Sequence, residues 1–477
     1  MPELHDLNAL EQAAAIRRRQ VSPRELVAHY LARVDRYSEA VGAFVTVTAA
    51  QALEEAGRAE ARLKEVGPEG AASLPPLLAV PTAVKDLNLT AGVPTKFGSA
   101  ALADFVAPAD DYVVSRLKEA GLISLGKTNT PELGLTCYTE PDVAPPARSP
   151  FDLSRSAGGS SGGAGAAVAA GLVPVAQGSD GAGSVRIPAS VCGLVGLKPS
   201  RGRVSGGPAG ADVTGLVVNG PIARTVADAA AMLDALAGPM PGDPYWAPPL
   251  PAGGSFLDAS RQPVGRLRVG VLRDPVISSA EVSATCLAAL DDAAALLEGL
   301  GHEAEACEAP FDEAIVATFE TIWTVGAAAA PVPDSREGEL RALTRWFRER
   351  GRAVSGPRLF EALAAAQLAA RRAVVLFSRY DAVLTPALAQ PPAPVGAFRD
   401  DDHPERDFEA QKCFTPFTVV ANITGQPAIS LPLYWTAAGL PIGVQLIGRP
   451  AGEAPLLALA GQLEQARPWR HHVPSMW

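Results

Sequence analysis

The chain has 477 residues, with 41 Lys or Arg against 51 Asp or Glu, so its formal net charge is −10. Hydrophobic residues make up 48% of the chain and charged residues 19%, which excludes an intrinsically disordered protein. The acidic residues are spread along the chain and no basic stripe is present. The composition therefore argues against nucleic acid or an anionic membrane as a partner, and it favours a small molecule.

Targeting and redox signals are weak. The most apolar stretch, residues 164–176, is shorter than the roughly 20 apolar residues that a membrane span requires. The first residues, M-P-E-L-H-D-L-N, are acidic where a secretory signal would be basic, which predicts a cytoplasmic protein. The five cysteines are scattered and form no C-x-x-C pair, which indicates reduced, buried thiols. We expect no metal and no cofactor, and the sequence leaves open whether the chain is a monomer or a homodimer.

The first half of the chain alternates helix and strand signals. Ser22 to Glu25 is a capping box with proline at the first helical position, which predicts a helix. Apolar runs predict strands over residues 77–84, 122–125 and 172–176, and residues 111–120 are predicted to form a helix.

The second half continues this alternation. Residues 225–228 repeat the capping box with Asp228 in place of Glu, which predicts the start of a helix that ends at Gly238. Further strands are predicted over residues 267–272, 382–384, 428–433 and 441–447. The last two join through Y-W-T-A-A-G-L and are apolar on both faces, which is typical of a hairpin inside a covered sheet. The predicted fold class is α/β, with a mixed, mostly buried sheet and helices over both faces.

One low-complexity segment interrupts the pattern. Residues 239–263 are rich in Pro and Gly and are compatible with either a domain linker or a long surface loop. We interpret them as a loop inside a single domain that spans residues 1–477. Residues 310–380 are expected to form a variable helical region near the substrate.

A glycine and serine block over residues 156–190 carries the strongest functional signal. Its first turn presents Ser160 and Ser161 among glycines, and its second turn, residues 180–184, ends in Ser184. Small side chains in the second turn allow several amide N–H groups to converge beside Ser184, as in an oxyanion hole around a nucleophile. The predicted amphipathic Ala/Val helix and apolar strand between the two turns argue against a flexible linker.

A nucleophilic serine requires a base. None of the six histidines lies in a Gly-rich turn or at a predicted strand end, and His5, His471 and His472 lie near termini that we expect to fray. A Ser-His-Asp triad is therefore disfavoured. Lys85 follows the apolar run L-L-A-V-P-T-A-V, and burial at that position would lower its pKa.

These segments resemble the amidase signature hydrolases. The resemblance rests on V-P-T-A-V-K-D-L at 80–87, G-K-T-N-T-P-E-L at 126–133, the block at 156–199 and N-I-T-G-Q-P-A-I-S-L-P at 422–432, in the family's order. The motif detail is closest to the branch with 6-aminohexanoate cyclic-dimer hydrolase, aryl-acylamidases and urethanases. The resemblance implies one large α/β/α domain and cleavage of small amides or carbamates through an acyl-enzyme.

The same resemblance implies roles for individual residues. Lys85, Ser160 and Ser184 match the family's lysine, cis-serine and nucleophilic serine. Other matches are the oxyanion-hole amides of Gly181, Ala182, Gly183 and Ser184 and the loop supports Ser161, Asp180 and Arg186. Ala182 replaces a glycine that the family commonly has, which is tolerable where φ is negative. A neutral Lys85 would take a proton from Ser160, which would take one from Ser184.

Parts of the sequence are compatible with two other functions. G-L-I-S-L-G-K-T at 121–128 fits a phosphate-binding loop, but the predicted strand lies inside the motif rather than before it. A glutaminase subunit of a tRNA-dependent amidotransferase is similar over the same motifs. The acyl pocket is expected to draw on residues 135–138, 323–347 and 386–417.

Overall fold

A computed structural model describes residues 3–70, 73–210 and 212–477. The helices of this described part are α1 (Ala9–Arg17), α2 (Pro23–Val41), α3 (Ala49–Gly70), α4 (Tyr112–Glu119), α5 (Gly162–Ala169), α6 (Arg186–Val191), α7 (Val226–Leu236), α8 (Phe256–Ala259), α9 (Ala284–Gly299), α10 (Ala314–Ala329), α11 (Ala342–Arg352), α12 (Gly356–Phe377), α13 (Pro404–Phe414), α14 (Val419–Thr424) and α15 (Glu453–Ala466). The strands are β1 (Phe44–Val47), β2 (Pro81–Lys85), β3 (Ile123–Thr128), β4 (Arg148–Ser149), β5 (Asp152–Ser156), β6 (Val175–Asp180), β7 (Val195–Lys198), β8 (Val218–Ala223), β9 (Arg268–Val271), β10 (Glu303–Ala306), β11 (Ala382–Pro386), β12 (Ala428–Trp435) and β13 (Pro441–Gly448).

Eight strands form the central sheet in the order β10-β9-β11-β13-β12-β7-β8-β6. Strand β9 is parallel to β10 and β11, and the remaining neighbours are antiparallel, so the sheet is mixed. A second sheet has the order β1-β3-β2, and β4 pairs with β5.

Hydrogen bonds attach the three-stranded sheet to the edge strand β6 of the central sheet. Thr82 Oγ1 donates to Val175 O at 3.1 Å, and Lys85 N donates to Gln177 Oε1 at 2.9 Å. The end of β2 therefore lies against β6, which leads directly into the second glycine turn.

Both faces of the central sheet are covered. Leu384 and Leu446 pack into a core with helices α7, α9 and α15, whereas Val383 and Ile447 pack into another core with α10 to α14. Successive residues of a strand point to opposite faces, so the two cores lie on the two sides of the sheet. The predicted α/β class with helices over both faces is confirmed.

The capping signals are confirmed in part. Ser22 Oγ accepts from Glu25 N at 3.1 Å, and Glu25 Oε2 accepts from Ser22 N at 2.8 Å, at the start of α2. Thr225 Oγ1 likewise accepts from Asp228 N at 3.1 Å. The Asp228 carboxylate, however, binds the first two amides of α1 at 3.1 Å each, so it joins two helices instead of closing its own box. Helix α7 also ends at Leu236, before the predicted Gly238.

Several predicted strand bounds are wrong. Residues 76–79 form a turn in which Ala79 has φ +62 and donates to Gly121 O, so β2 begins only at Pro81. Strand β6 begins at Val175, after an irregular segment, and runs on to Asp180. Apolar composition located these strands, but the turns before them depend on contacts that composition does not encode.

Helix α5 differs from the amphipathic helix that we expected between the two serine turns. All eight of its residues are buried. It packs against α2, α6 and β6, so no face of it remains for solvent.

The remaining segments bear on the domain prediction, which stays a prediction. Residues 239–263 carry only the short α8 and otherwise no helix or strand, and residues 310–380 carry α10, α11 and α12. Within the described ranges, no helix has both the length and the apolar composition that crossing a bilayer demands. Four of the five free cysteines are buried, whereas Cys413 is exposed, contrary to expectation.

Candidate active site

Lys85 is the last residue of β2 and is completely buried. Its Nζ lies 2.7 Å from Ser160 Oγ, 3.0 Å from Ser179 Oγ and 3.3 Å from Ser179 O. The structure therefore brings together Lys85 and Ser160, and it adds Ser179, which the sequence analysis did not identify.

The surroundings of Lys85 favour its neutral form. Burial lowers the pKa of Lys85 to about 7, because the interior disfavours the ammonium, although the Asp180 carboxylate opposes the shift. The three hydrogen-bond acceptors around Nζ are two hydroxyls and a carbonyl, which carry no charge. At neutral pH a large fraction of this amine is therefore free to accept a proton.

The turn that presents Ser160 is closely packed. The peptide bond between Gly159 and Ser160 is cis. A Cβ atom on Gly159 would lie 2.7 Å from Tyr138 N, so only glycine fits there. Ser161 N donates to Ser184 O at 3.1 Å, which holds the two serine turns against each other.

Ser184 lies at the wall of a solvent-open cleft and is 7% exposed. Of the two proton transfers that the sequence analysis expected, the structure shows hydrogen-bond contact only for the first, between Lys85 and Ser160. In the described chain, no hydrogen bond joins the side chains of Ser160 and Ser184. The second transfer thus remains a prediction.

A buried ion pair braces the Ser184 turn. Arg186 donates to both oxygens of Asp180, from Nε at 3.0 Å and from Nη2 at 2.8 Å. Its Nη1 donates to Thr418 O, and Nη2 also donates to Asn422 Oδ1, both at 2.6 Å. Burial alone would raise the pKa of Asp180, but Arg186 outweighs it and holds that pKa well below its usual range. Both charges are therefore compensated inside the protein.

The amides of the turn are not all available to a ligand. Gly183 N donates to Asp180 Oδ1 at 2.8 Å, so this amide is already paired within the turn, and the expected contribution of Gly183 to an oxyanion hole stays a prediction. The N–H groups of Gly181, Ala182 and Ser184 have no hydrogen-bond acceptor within the described chain. These three amides of the turn that ends in Ser184 thus remain as unpaired donors within the described chain.

Thr418 sets the orientation of this turn. Its Oγ1 donates to Ala182 O at 2.6 Å. Gly183 has φ +131, and a Cβ there would lie 2.4 Å from Thr418 Oγ1, so glycine is required. Ala182 is not among the residues with positive φ, which explains why alanine is tolerated where the family commonly has glycine.

The cleft next to Ser184 encloses about 470 Å³, including solvent-open space. Its apolar walls include Leu135, Ile277, Phe319, Trp323, Phe408 and Val419. Two polar side chains in the wall are already paired: Gln411 Nε2 donates to Asp407 Oδ1, and Lys412 Nζ contacts Glu320 and Glu409. All three predicted wall segments contribute, but Ile277, Phe319 and Val419 lie outside them.

Sequence reasoning missed several polar residues of the site. Ser179 precedes Asp180 in the same glycine and serine block, and Asn422 opens the family-like segment at 422–432. Asn422 Nδ2 donates to Asp180 O and Oδ1, both at 2.9 Å. Those positions were visible as motifs, whereas Thr418 carries no sequence signal.

The phosphate-loop alternative fails on its context. Residues 123–128, which include the G-K-T letters, form strand β3, and Lys127 is 1% exposed. A phosphate loop requires these letters to open a helix, where free amides face the phosphates.

Comparison with known proteins gives a consistent picture. The sequence profile of the family described as Amidase matches residues 25–457. The chain is 37% identical to the 6-aminohexanoate-cyclic-dimer hydrolase of Paenarthrobacter ureafaciens, over 98% of this chain and 96% of that protein. It is 35% identical to an acylamidase of Rhodococcus erythropolis, over 99% and 98%. A solved structure of 6-aminohexanoate cyclic dimer hydrolase complexed with substrate superposes with a TM-score of 0.88 at 33% identity, over 99% of each chain.

Proposed function

This chain belongs to the amidase signature family and hydrolyses amide C–N bonds, and from that premise we propose that Ser184 is its nucleophile and that Lys85 and Ser160 are its proton relay. The 2.7 Å contact between a buried, weakly basic Lys85 and Ser160 is the observation that carries this proposal.

The relay begins with neutral Lys85. Lys85 Nζ takes the proton of Ser160, and Ser160 Oγ takes the proton of Ser184 as Ser184 Oγ attacks the substrate carbonyl carbon. The tetrahedral intermediate collapses when the relay returns a proton to the leaving nitrogen, because an amide anion is too basic to depart. Water, deprotonated along the same relay, then hydrolyses the acyl-enzyme and regenerates Ser184.

The negative oxygen of the intermediate requires hydrogen-bond donors. The amides of Gly181, Ala182 and Ser184 supply them, since Gly183 N is already bound by Asp180. Thr418 and the Asp180–Arg186 pair hold these donors in place. Because the donors need little reorganisation during the reaction, they stabilise the charge that develops in the transition state.

The cleft favours an uncharged, apolar acyl group. Its walls are aromatic and aliphatic, and the polar ends of Gln411 and Lys412 are committed to protein partners. We expect anilides, linear amides and nylon-type oligomers such as the uncharged 6-aminohexanoate cyclic dimer as substrates. Aryl carbamates belong to the same class, because they also present a carbonyl bonded to nitrogen.

The test combines a substrate panel with covalent labelling. The purified chain is assayed with a p-nitroanilide, the 6-aminohexanoate cyclic dimer, an aryl carbamate and glutamine, and a serine-reactive inhibitor adduct is mapped by mass spectrometry. We expect anilide turnover and an adduct on Ser184, with Ser184→Ala losing turnover by about 10⁴-fold or more.

Ser161→Ala is the matched control. Ser161 is buried beside Ser160, but its hydroxyl binds the backbone of Ser179. It is expected to retain far more activity than Ser184→Ala. An adduct on another residue, or turnover in Ser184→Ala, would contradict the proposal, and a preference for glutamine would favour the amidotransferase subunit instead.

A further inference from the structure

Two histidines and a glutamate converge at the amino-terminal end, in a cluster that the catalytic mechanism does not use. His5 Nδ1 lies 3.0 Å from His29 Nε2, and the ligand atoms of Glu3, His5 and His29 all lie within 4.8 Å of one another. We expected His5 to fray with the terminus, but it is buried, at 7% exposure. His29 is half-buried on α2, and Glu3 is exposed, so the cluster has an open side.

We infer that Glu3, His5 and His29 form a binding site for a divalent transition metal ion such as Zn²⁺. Two imidazole nitrogens and one carboxylate are a common protein ligand set for zinc, with water as a fourth ligand. In a tetrahedral site with bonds near 2.0 to 2.1 Å, neighbouring ligand atoms stand roughly 3.3 Å apart. The two nitrogens, 3.0 Å apart, already have nearly this spacing, and a Glu3 carboxylate oxygen lies within 4.8 Å of both.

The backbone around His5 is held in place before any ion binds. Gln12 Nε2 donates to Leu4 O at 3.2 Å and to Leu7 O at 2.9 Å, on either side of His5. The Trp477 ring packs edge-on against the His5 ring at a centroid distance of 5.2 Å. A preorganised segment loses little conformational entropy on binding, which favours affinity.

The neighbouring charges limit that affinity. Arg33 and Arg224 act on His5 with a positive field, and Asp6 acts with the opposite sign. Glu3 adds a second negative charge on the open side of the cluster. An ion held by two neutral rings and one carboxylate, close to two guanidinium groups, is expected to bind reversibly rather than irreversibly.

Binding requires a change of tautomer and no net loss of protons. A metal ion binds the neutral imidazole, in which one ring nitrogen carries a hydrogen and the other offers a lone pair. In the hydrogen-bonded pair, one of the two facing nitrogens carries a hydrogen. That hydrogen moves to the other nitrogen of the same ring, both facing lone pairs then bind the ion, and the Glu3 carboxylate completes the set.

The experiment is a calorimetric titration of the untagged full chain with ZnCl₂, repeated with Co²⁺ so that the visible spectrum reports the coordination. We expect one equivalent to bind and the melting temperature to rise with zinc concentration until the site is saturated. His29→Gln and Glu3→Gln should each weaken binding by about tenfold or more. Amidase activity in EDTA should be unchanged in both variants, because neither residue contacts the active site.

His472→Gln is the matched control, since His471 and His472 form the other histidine pair, with ring centroids 4.1 Å apart. It should bind zinc as the unmodified chain does. Full affinity in His29→Gln or in Glu3→Gln, or loss of binding only in His472→Gln, would overturn the assignment. Glu3 is exposed, so its variant keeps the test valid if His29→Gln fails to fold.

Discussion

Lys85 and Lys127 lie on neighbouring parallel strands and are almost equally buried, at 0% and 1% exposure, yet their surroundings differ. Lys85 Nζ contacts the two hydroxyls and one carbonyl described above. Lys127 Nζ donates to Asn88 O at 2.6 Å and to Thr95 Oγ1 at 3.0 Å, and it lies 3.4 Å from the Asp86 carboxylate.

Both lysines are buried, so burial does not distinguish their pKa values. They differ in how close a carboxylate lies to the amine. Burial lowers both pKa values, but Asp86 opposes the shift at Lys127 from within ion-pair distance. Lys85 has only the more indirect influence of Asp180, and its pKa falls to about 7. One buried lysine is thereby suited to proton transfer and the other to structure.

The largest expected effect is that of Lys85→Met on catalysis. Removing the base should lower kcat by about 10³-fold without lowering the thermal stability at pH 7, since burial already disfavours the Lys85 ammonium and no charged partner is left behind. Steady-state kinetics and thermal melts measure both quantities. Lys198→Met is the control, because Lys198 is also buried with a pKa of about 7 but donates to Pro199 O at 2.8 Å. A comparable loss of kcat in Lys198→Met would contradict the assignment of Lys85 as the base.

Lys127→Met should show the opposite pattern. It leaves the Asp86 carboxylate buried without its cation, so the free energy of unfolding should fall by about 3 kcal/mol. The folded fraction should keep most of its kcat. Chemical denaturation measures the loss, and the double variant Asp86→Asn with Lys127→Met should recover part of it. Unchanged stability in the single variant would show that the pair is not structural.

The pH dependence sharpens the assignment of Lys85. Below pH 7 the rate should fall about tenfold per pH unit as Lys85 gains a proton, and above pH 7 it should level off.

The free energy of unfolding should also rise with pH. Because the pKa is about 7 in the folded state and about 10.4 in the unfolded chain, the unfolded state binds more protons in between, and stability rises with pH over that window. In Lys85→Met the rate trend should disappear and the stability trend should weaken, because buried Lys198, whose pKa is also about 7, keeps its own contribution. A rate independent of pH in the unmodified enzyme would exclude Lys85 as the base.

The smallest effect is expected for Ser179→Ala. The Ser179 hydroxyl stabilises the ammonium form of Lys85 more than the amine, so its loss should move the acidic limb of the rate profile about half a pH unit lower. Ser161→Ala, which does not contact Lys85 Nζ, should leave the midpoint in place. A shift in the opposite direction would mean that Ser179 stabilises the neutral amine.

Local signals in the sequence predicted much of the fold. The Ser22 capping box and the hairpin of β12 and β13 follow from neighbouring residues alone, and both are present. Asp228 was misread because its partners, at the start of α1, are more than 200 residues away in the chain. The turn before β2 was missed for a similar reason, since Ala79 depends on Gly121 O.

The sequence by itself determined which residue types meet at the site: a lysine after an apolar strand, and serines in glycine turns that leave amides exposed. Tertiary structure alone decided which donors remain free, because Asp180 occupies Gly183 N and Thr418 orients Ala182 O from a distant segment. It also decided that Lys85, rather than Lys127, lies away from a carboxylate. Hydrogen bonding and ionisation depend on distances between groups far apart in the chain, and no local pattern of residues records those distances.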